Sequence, residues 1–410
     1  MTAKEFLFKH GQAAENLNAQ QILTDYLAEM QNGLNGFGSI PMVPTYIRNV
    51  GRDKIKSGKK ILIDAGGTNF RSAIGCFEDG KAVITNLTKT QMPGADGKPL
   101  GKEEFYSKIA QNVKDIAELG GDVGFCFSYQ VDMGADVDGK VVCFSKEIHA
   151  PEVVGTKVGA ETLAAISRYS NKQRKIAIIN DTVATLLGGV ATLNEPYGGY
   201  VGYIYGTGTN LCYAEDVKNI KKVTDLGSGK MLINTESGGF DKIPRGDFDV
   251  IVANATAEPG RQHLEKMSSG KYLSDVIFAS LTAAKSQGIV SPNTDFKPFA
   301  LKEVSAFLLG ENDLGVAPCD RQFVRDVCLE LIDRAALIGA IINAGACIKT
   351  QAEGTIAIVA EGTTFYKLPT FRDKFILHLH ELLDGKNVSF EVVRGTDLNL
   401  VGTLMATMML

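Results

Sequence analysis

The stretch Lys59–Phe77, KKILIDAGGTNFRSAIGCF, constrains this chain more than any other. An apolar run ending in Asp64, a glycine turn at Ala65-Gly66-Gly67 and a second apolar run from Phe70 to Phe77 spell a β-hairpin. Its tip carries unusual chemistry. Glycines lacking Cβ let backbone N–H groups approach a bulky anion closely, and Thr68, Asn69 and Arg71 add further donors. A carboxylate beside such a site, here Asp64, suits a hard cation such as magnesium. An ordinary hairpin with a polar turn remains the plainer alternative for this stretch alone.

The pattern recurs. Tyr200–Glu215, YVGYIYGTGTNLCYAE, again reads strand, glycine–threonine turn, strand, with Gly206-Thr207-Gly208-Thr209-Asn210 at the tip. Two such hairpins suggest two halves. Between them an apolar strand, Ile176–Ile179, ends in Asn180-Asp181 and opens a helix at Thr182. A carboxylate at the C-terminal end of a buried strand points to the crevice where open α/β sheets bind ligands. Helix capping by Asp181 is the competing reading.

Five motifs, DAGGTNFR, INDTVAT, GTGTN, INTESGGF and EPGRQHLEKMSSGKYL, stand in that order. Together they resemble the hexokinase/glucokinase family of sugar kinases, within the actin-like ATPase superfamily, from Val43 to about Phe371. The resemblance implies an α/β, two-domain actin-like (ribonuclease H-like) fold. Each domain would be a mixed five-stranded sheet with flanking helices, with a cleft between. The expected small domain is 59–179 plus 397–410, and the large one 1–58 plus 180–396. The implied reaction moves the γ-phosphate of ATP to the 6-hydroxyl of glucose or a related hexose, with Mg2+, and Asp181 as general base. Such transfer rests on positioning, charge balance and a base for the hydroxyl proton. By resemblance, Ser128, Ser145, Lys146, Asn180, Asn210, Glu236 and Glu265 bind the sugar. Asp64, Gly66, Gly67, Thr68, Asn69, Arg71, Thr207, Gly208, Gly362 and Thr363 face the nucleotide, with Asp64 reaching the metal through water. A non-catalytic sugar sensor on the same fold is the rival, and a polymerising actin-like protein a weaker one. Neither needs both phosphate-type hairpins together with Asp181 and the hydroxyl-binding set.

Composition excludes other classes. The 410 residues allow two substantial cores, and 44% hydrophobic with 22% charged residues is an ordinary globular balance. A net charge of −4 without a Lys/Arg block gives nucleic acid no footprint. No signal-type start and no run of about 18 apolar residues argue against a membrane role. Seven scattered cysteines without a CxxC suit a reducing cytoplasm. A P-loop fails because Gly229-Lys230 is followed by Met231, and GTGTNL is not GxGxxG.

Periodicity predicts helices over 13–32, 102–119, 160–170, 259–268, 273–286, 301–309, 320–346 and 371–383, with a last one from about Leu398. Strands are predicted at 82–90, 124–128, 141–144, around 230–233, at 355–359 and at 388–393.

Several positions depart from the family. Ser145-Lys146-Glu147-Ile148 stands where Thr-Lys-Gly-Phe is usual, and Phe127-Ser128-Tyr129-Gln130 replaces a common Phe-Ser-Phe-Pro, removing a φ constraint. Toward the adenosine, Asp-Gly-Ser becomes Glu361-Gly362-Thr363. A basic, glycine-rich turn becomes Thr396–Gly402, with added bulk and an acidic side chain. Drift at a loosely held base is one reading, and an altered donor preference the sharper one.

Overall fold

The computed structural model describes residues 1–48, 50–144, 148–193 and 197–410. Its strands are β1 (Val43–Arg48), β2 (Lys60–Gly66), β3 (Asn69–Glu78), β4 (Lys81–Gln91), β5 (Val123–Phe127), β6 (Gln130–Met133) and β7 (Gly139–Cys143). There follow β8 (Ile176–Ile179), β9 (Gly199–Tyr205), β10 (Thr209–Asp216), β11 (Lys230–Asn234), β12 (Ile356–Glu361) and β13 (Phe390–Val393). Among the described residues three sheets result, ordered β4-β3-β2-β5-β8, β1-β11-β10-β9-β12-β13 and β6-β7. The first is five-stranded, as expected. The second carries a sixth strand, β1, which the sequence hides because Pro44 lacks a donor. Proline is tolerated at a sheet edge, and among the described residues β1 pairs with β11 alone, through a register shift between Pro44 and Arg48.

Packing divides the chain into two compact units. One comprises Val43–Gly202, Cys212–Asn234 and Val393–Leu410; the other Met1–Met42, Tyr203–Leu211 and Thr235–Val392. In the first, β2–β3 and β3–β4 are antiparallel, while β2–β5 and β5–β8 are parallel. Alternate strand residues face opposite ways, and both faces are covered. Ile61, Ile63, Phe125 and Ile178 join the helices Lys102–Val113 and Val158–Ile166 in one core. On the other face, Leu62 meets Leu400, Leu404 and Met408 of the helix Leu398–Met408. That helix lies so close to the helix Asp181–Thr192 that a Cβ at Gly402 would stand 1.8 Å from the Ala184 carbonyl. Only glycine fits there.

The second unit is mainly helical. Helices Ala19–Asn35, His263–Ser268, Gly270–Ser286 and Leu301–Leu309 pack around Arg321–Thr350, and Phe371–Leu383 lies against it. Pro318–Thr350 is long and apolar enough to cross a membrane by composition, but 89% of its most apolar window is buried, the pattern of a core helix. The 13–32 helix begins later than expected, at Ala19, because Asn18 caps it by accepting the Gln21 N–H. A short helix, Ala3–Lys9, precedes it, set by a capping box between Thr2 and Glu5.

Candidate active site

Strand register brings the first group of residues together. β2 and β5 pair Asp64 with Cys126 and Ala65 with Phe127, and β5 and β8 pair Cys126 with Ile179. The chain leaves β5 through Ser128 and β8 through Asn180 and Asp181. Asp64, Ser128, Asn180 and Asp181 therefore share the carboxyl edge of three neighbouring parallel strands, where α/β sheets hold ligands. Cys126 registers this convergence. Burial first, then the charges of Asp64 and Asp181, push its thiol well above the ordinary value, against the pull of Ser128. The thiol is fully buried and stays neutral.

Capping falls to Asn180. Its side-chain oxygen accepts the Thr182 N–H at 3.0 Å and the Thr182 hydroxyl at 2.7 Å, and the helix starts at Asp181 rather than Thr182. Asp181 Oδ1 accepts the same Thr182 N–H at 2.9 Å. The two side chains thus share this N–H, and Asn180 alone also takes the Thr182 hydroxyl.

At the hairpin tip β2 does not stop at Asp64 but runs on to Gly66, which pairs with Asn69 across a two-residue loop, Gly67-Thr68. Gly67 has φ 56° at the first central position, the place a type II′ turn gives to glycine. Gly67, Thr68 and Asn69 are exposed. A Cβ on Gly66 would approach the Ser128 hydroxyl to 3.0 Å, so β5 and the tip lie close. Asp64, buried, accepts Arg71 Nε at 2.8 Å, and Arg71 Nη1 also lies 3.9 Å from Asp397. Among the described residues no three His, Cys, Asp or Glu side chains gather to form a metal cage. A lone carboxylate at a phosphate-type tip fits magnesium, which keeps its waters and takes phosphate oxygens alongside one or two carboxylates.

The second hairpin turns at Gly206-Thr207-Gly208, and Thr209 and Asn210 belong to β10. Its carbonyls are held from behind, Gly206 by the Gly270 N–H at 2.9 Å and Thr207 by the Lys271 N–H at 3.0 Å. Asn210 is fixed through both ends of its amide. Its oxygen accepts Leu211 N–H at 2.8 Å, the Thr235 hydroxyl at 3.3 Å and Ser237 N–H at 3.4 Å, while its nitrogen donates to Glu236 at 3.2 Å. Glu236 itself occupies the left-handed region, φ 55°, which turns its carboxylate toward Asn210. Glu265 lies on the helix His263–Ser268 and accepts the Thr209 N–H at 3.2 Å. Burial raises its carboxyl to about 7; the Thr209 N–H opposes this and Glu236 adds to it. Asn210, Glu236 and Glu265, which sequence reasoning singled out separately, thus form one polar cluster.

Gly362 ends β12 with φ 122°, and a Cβ there would lie 2.1 Å from the Tyr205 carbonyl. It therefore packs directly on the backbone entering the second tip, with exposed Thr363 beside it. The tail differs from expectation. Leu398, Leu400 and Val401 are buried, so the added bulk fills the core rather than a ligand site. Asp397 alone brings a new charge, and no basic residue stands in that helix's first turn. Ser145 and Lys146 lie outside the described residues. Sequence reasoning missed Thr235, the Gly270 and Lys271 amides and Tyr129, whose hydroxyl donates to the Gly67 carbonyl at 2.6 Å. Each had a signal in sequence, Tyr129 adjacent to Ser128, Thr235 within INTESGGF, and Gly270 and Lys271 within EPGRQHLEKMSSGKYL, but none pointed to its structural role.

Two hexokinase family models match the chain, over residues 8–190 and 200–409. Hexokinase-1 of Saccharomyces cerevisiae is 28% identical over 394 residues, spanning 86% of this chain and 80% of its own. Hexokinase-1 of Schizosaccharomyces pombe is 29% identical over 407 residues, spanning 90% and 82%. The hexokinase of Schistosoma mansoni, solved in complex with glucose, shares the fold with a TM-score of 0.81 at 23% identity, covering both chains fully. With family matches spanning nearly all its length and two actin-like units built on mixed sheets, the chain belongs to the hexokinase family and is an ATP-dependent hexose kinase.

Proposed function

We propose that the enzyme transfers the γ-phosphate of ATP to the 6-hydroxyl of glucose or a closely related hexose, with Asp181 as general base. The observation that carries this reading is the parallel register that sets Asp64, Ser128, Asn180 and Asp181 on one sheet edge. Asp181 takes the proton as the hydroxyl oxygen bonds to the γ-phosphorus. The bond from that phosphorus to the bridging β–γ oxygen breaks, and ADP leaves with the electron pair. A carboxylate suits the task because it is ionised at neutral pH and needs only hydrogen-bond reach of the hydroxyl. Ser128, Ser145, Lys146, Asn180, Asn210, Glu236 and Glu265 supply alternating donors and acceptors for the ring hydroxyls. With its oxygen engaged in the cap, Asn180 presents its NH2 group. The two glycine tips, with Thr68, Asn69, Arg71, Thr207, Gly362 and Thr363, receive the nucleotide. Asp64 would hold magnesium, by way of water, and the ion when bound would supply the positive charge that balances the phosphates.

In this reading the functional lobes are 59–179 plus 397–410 and 1–58 plus 180–396. The hexose and ATP are the partners, and the workplace is the cytoplasm, in keeping with seven scattered cysteines and no CxxC. The test is Asp181→Ala. Removing a general base costs about 10²–10⁴ in rate. Turnover falls accordingly, while calorimetry shows glucose still binding. An Asp181→Ala enzyme with wild-type turnover removes Asp181 from the chemistry.

A further inference from the structure

The two tips share a construction. Each must keep backbone N–H groups facing a ligand, although a glycine-rich turn is free to rotate its peptide planes. In the second tip the carbonyls of Gly206 and Thr207 are pinned by two backbone N–H groups from the start of the helix Gly270–Ser286. A trans peptide is planar, with its C=O and N–H pointing opposite ways. Holding a carbonyl from behind therefore turns the next residue's N–H outward.

The first tip is held in the same manner by different means. The Met92 N–H holds the Thr68 carbonyl at 2.9 Å. The Gly67 carbonyl is held by a side chain, the Tyr129 hydroxyl, at 2.6 Å. Tyr129 is only 5% exposed, and its ring is wedged against Phe127 at 4.9 Å and Phe144 at 5.1 Å. A ring seated in the core gives the hydroxyl little freedom to wander. The Ser128 N–H, one residue earlier, holds the Ala65 carbonyl at 3.0 Å. The segment leaving β5 thus grips the tip at two points while Ser128 stands beside Gly66.

Building on the assignment of this tip to the donor phosphates, we infer that Tyr129 is a positioning residue for the phosphoryl donor. Its hydroxyl fixes the Gly67–Thr68 peptide plane and so aims the Thr68 N–H at a phosphate oxygen. It does for the first tip what the Gly270 and Lys271 amides do for the second. It also replaces, by a hydrogen bond, rigidity that Gln130 does not give the segment.

The test is Tyr129→Phe, which removes one oxygen and leaves the ring packed. Losing a hydrogen bond of ordinary strength lowers kcat/KM for ATP roughly three- to tenfold. Glucose affinity by calorimetry stays within about twofold, and binding of a non-hydrolysable ATP analogue with magnesium weakens in step. In the ligand-free protein, amide hydrogen exchange at residues 66–69 accelerates. Tyr106→Phe, which loses a 2.6 Å hydroxyl contact to Thr156 elsewhere in the same unit, leaves all of these unchanged. Unaltered exchange at the tip overturns the anchoring. Faster exchange with unchanged ATP parameters overturns the role toward the donor. Equal losses for both substrates, with a lowered Tm, reduce Tyr129 to packing and overturn it as well. Because exchange is read without substrate, a failure of the donor-site assignment itself shows separately, as an analogue that protects none of these amides in the wild-type protein.

Discussion

Glu265 makes the stability of this enzyme depend on pH in a direction opposite to that of most surface carboxylates. Its carboxylate is half-buried, receives one N–H from Thr209, and shares its surroundings with Glu236. Burial dominates and raises the carboxyl from 4.5 to about 7. Below pH 4.5 the group is protonated in folded and unfolded chains alike, and nothing is lost. Between pH 4.5 and 7 the unfolded chain releases the proton while the folded one keeps it, so stability falls as pH rises and levels off above 7. Two and a half units correspond to a ceiling of about 3 kcal/mol, lowered by the group's partial exposure to about 1–2 kcal/mol. Glu265→Gln keeps the shape and cannot ionise. Urea unfolding of both proteins at pH 5, 6, 7 and 8 should show the variant gaining on the wild type by that amount between the first and last points. In parallel, wild-type glucose affinity should strengthen from pH 6 to 8, as Glu265 becomes a full acceptor for a sugar hydroxyl, and the variant's should stay flat. A stability difference that does not change with pH refutes the reasoning, because it would place Glu265 in water.

The same structure makes two further predictions. Arg334 and Asp249 form a buried pair, 3.1 and 2.5 Å between partner atoms and each about 1% exposed, so Arg334→Met should cost about 3–5 kcal/mol in urea unfolding by stranding the carboxylate. Because no basic residue opens the helix Leu398–Met408, ATP should be preferred over GTP or ITP by about tenfold or less in kcat/KM, equivalent to about 1.4 kcal/mol, and a hundredfold preference would show that adenine is still read.

Much of the fold was legible because the determining signals are local. The helices Leu301–Leu309 and Phe371–Leu383 fall where periodicity places them, since their apolar faces repeat along a single segment. The strands β8 and β12 are short apolar runs buried over most or all of their length, and they too were visible. What escaped was structure that depends on partners distant in sequence. β1 contains Pro44 and a left-handed Tyr46, features of a loop, and becomes a strand only because β11 supplies the other half of the ladder. The hairpin tip was placed two residues early, because composition marks Ala65-Gly66-Gly67 as a turn, while cross-strand pairing keeps Ala65 and Gly66 in β2.

For the site, the distinction is between chemistry and aim. Asp181, Asn210, Glu236 and Glu265 stood out in the sequence as polar groups within recognisable motifs, and their part in the reaction belongs to the proposal above. How they are held was not. Asn180 looked like a ligand for sugar and proves also to cap the helix, sharing the Thr182 N–H with Asp181. Leu398, Leu400 and Val401 looked like an altered nucleotide contact and prove to be core, so divergence in that segment says less about the donor than its sequence implies. Asp397 can act there through Arg71, which already binds Asp64. An arginine shared between two carboxylates offers less of its charge to a phosphate than one paired once. On the proposed assignment of this tip to the donor phosphates, that sharing, rather than added bulk, is the route by which the tail would act on the donor. It makes Asp397→Asn the substitution that should tighten binding of the ATP analogue without changing glucose affinity.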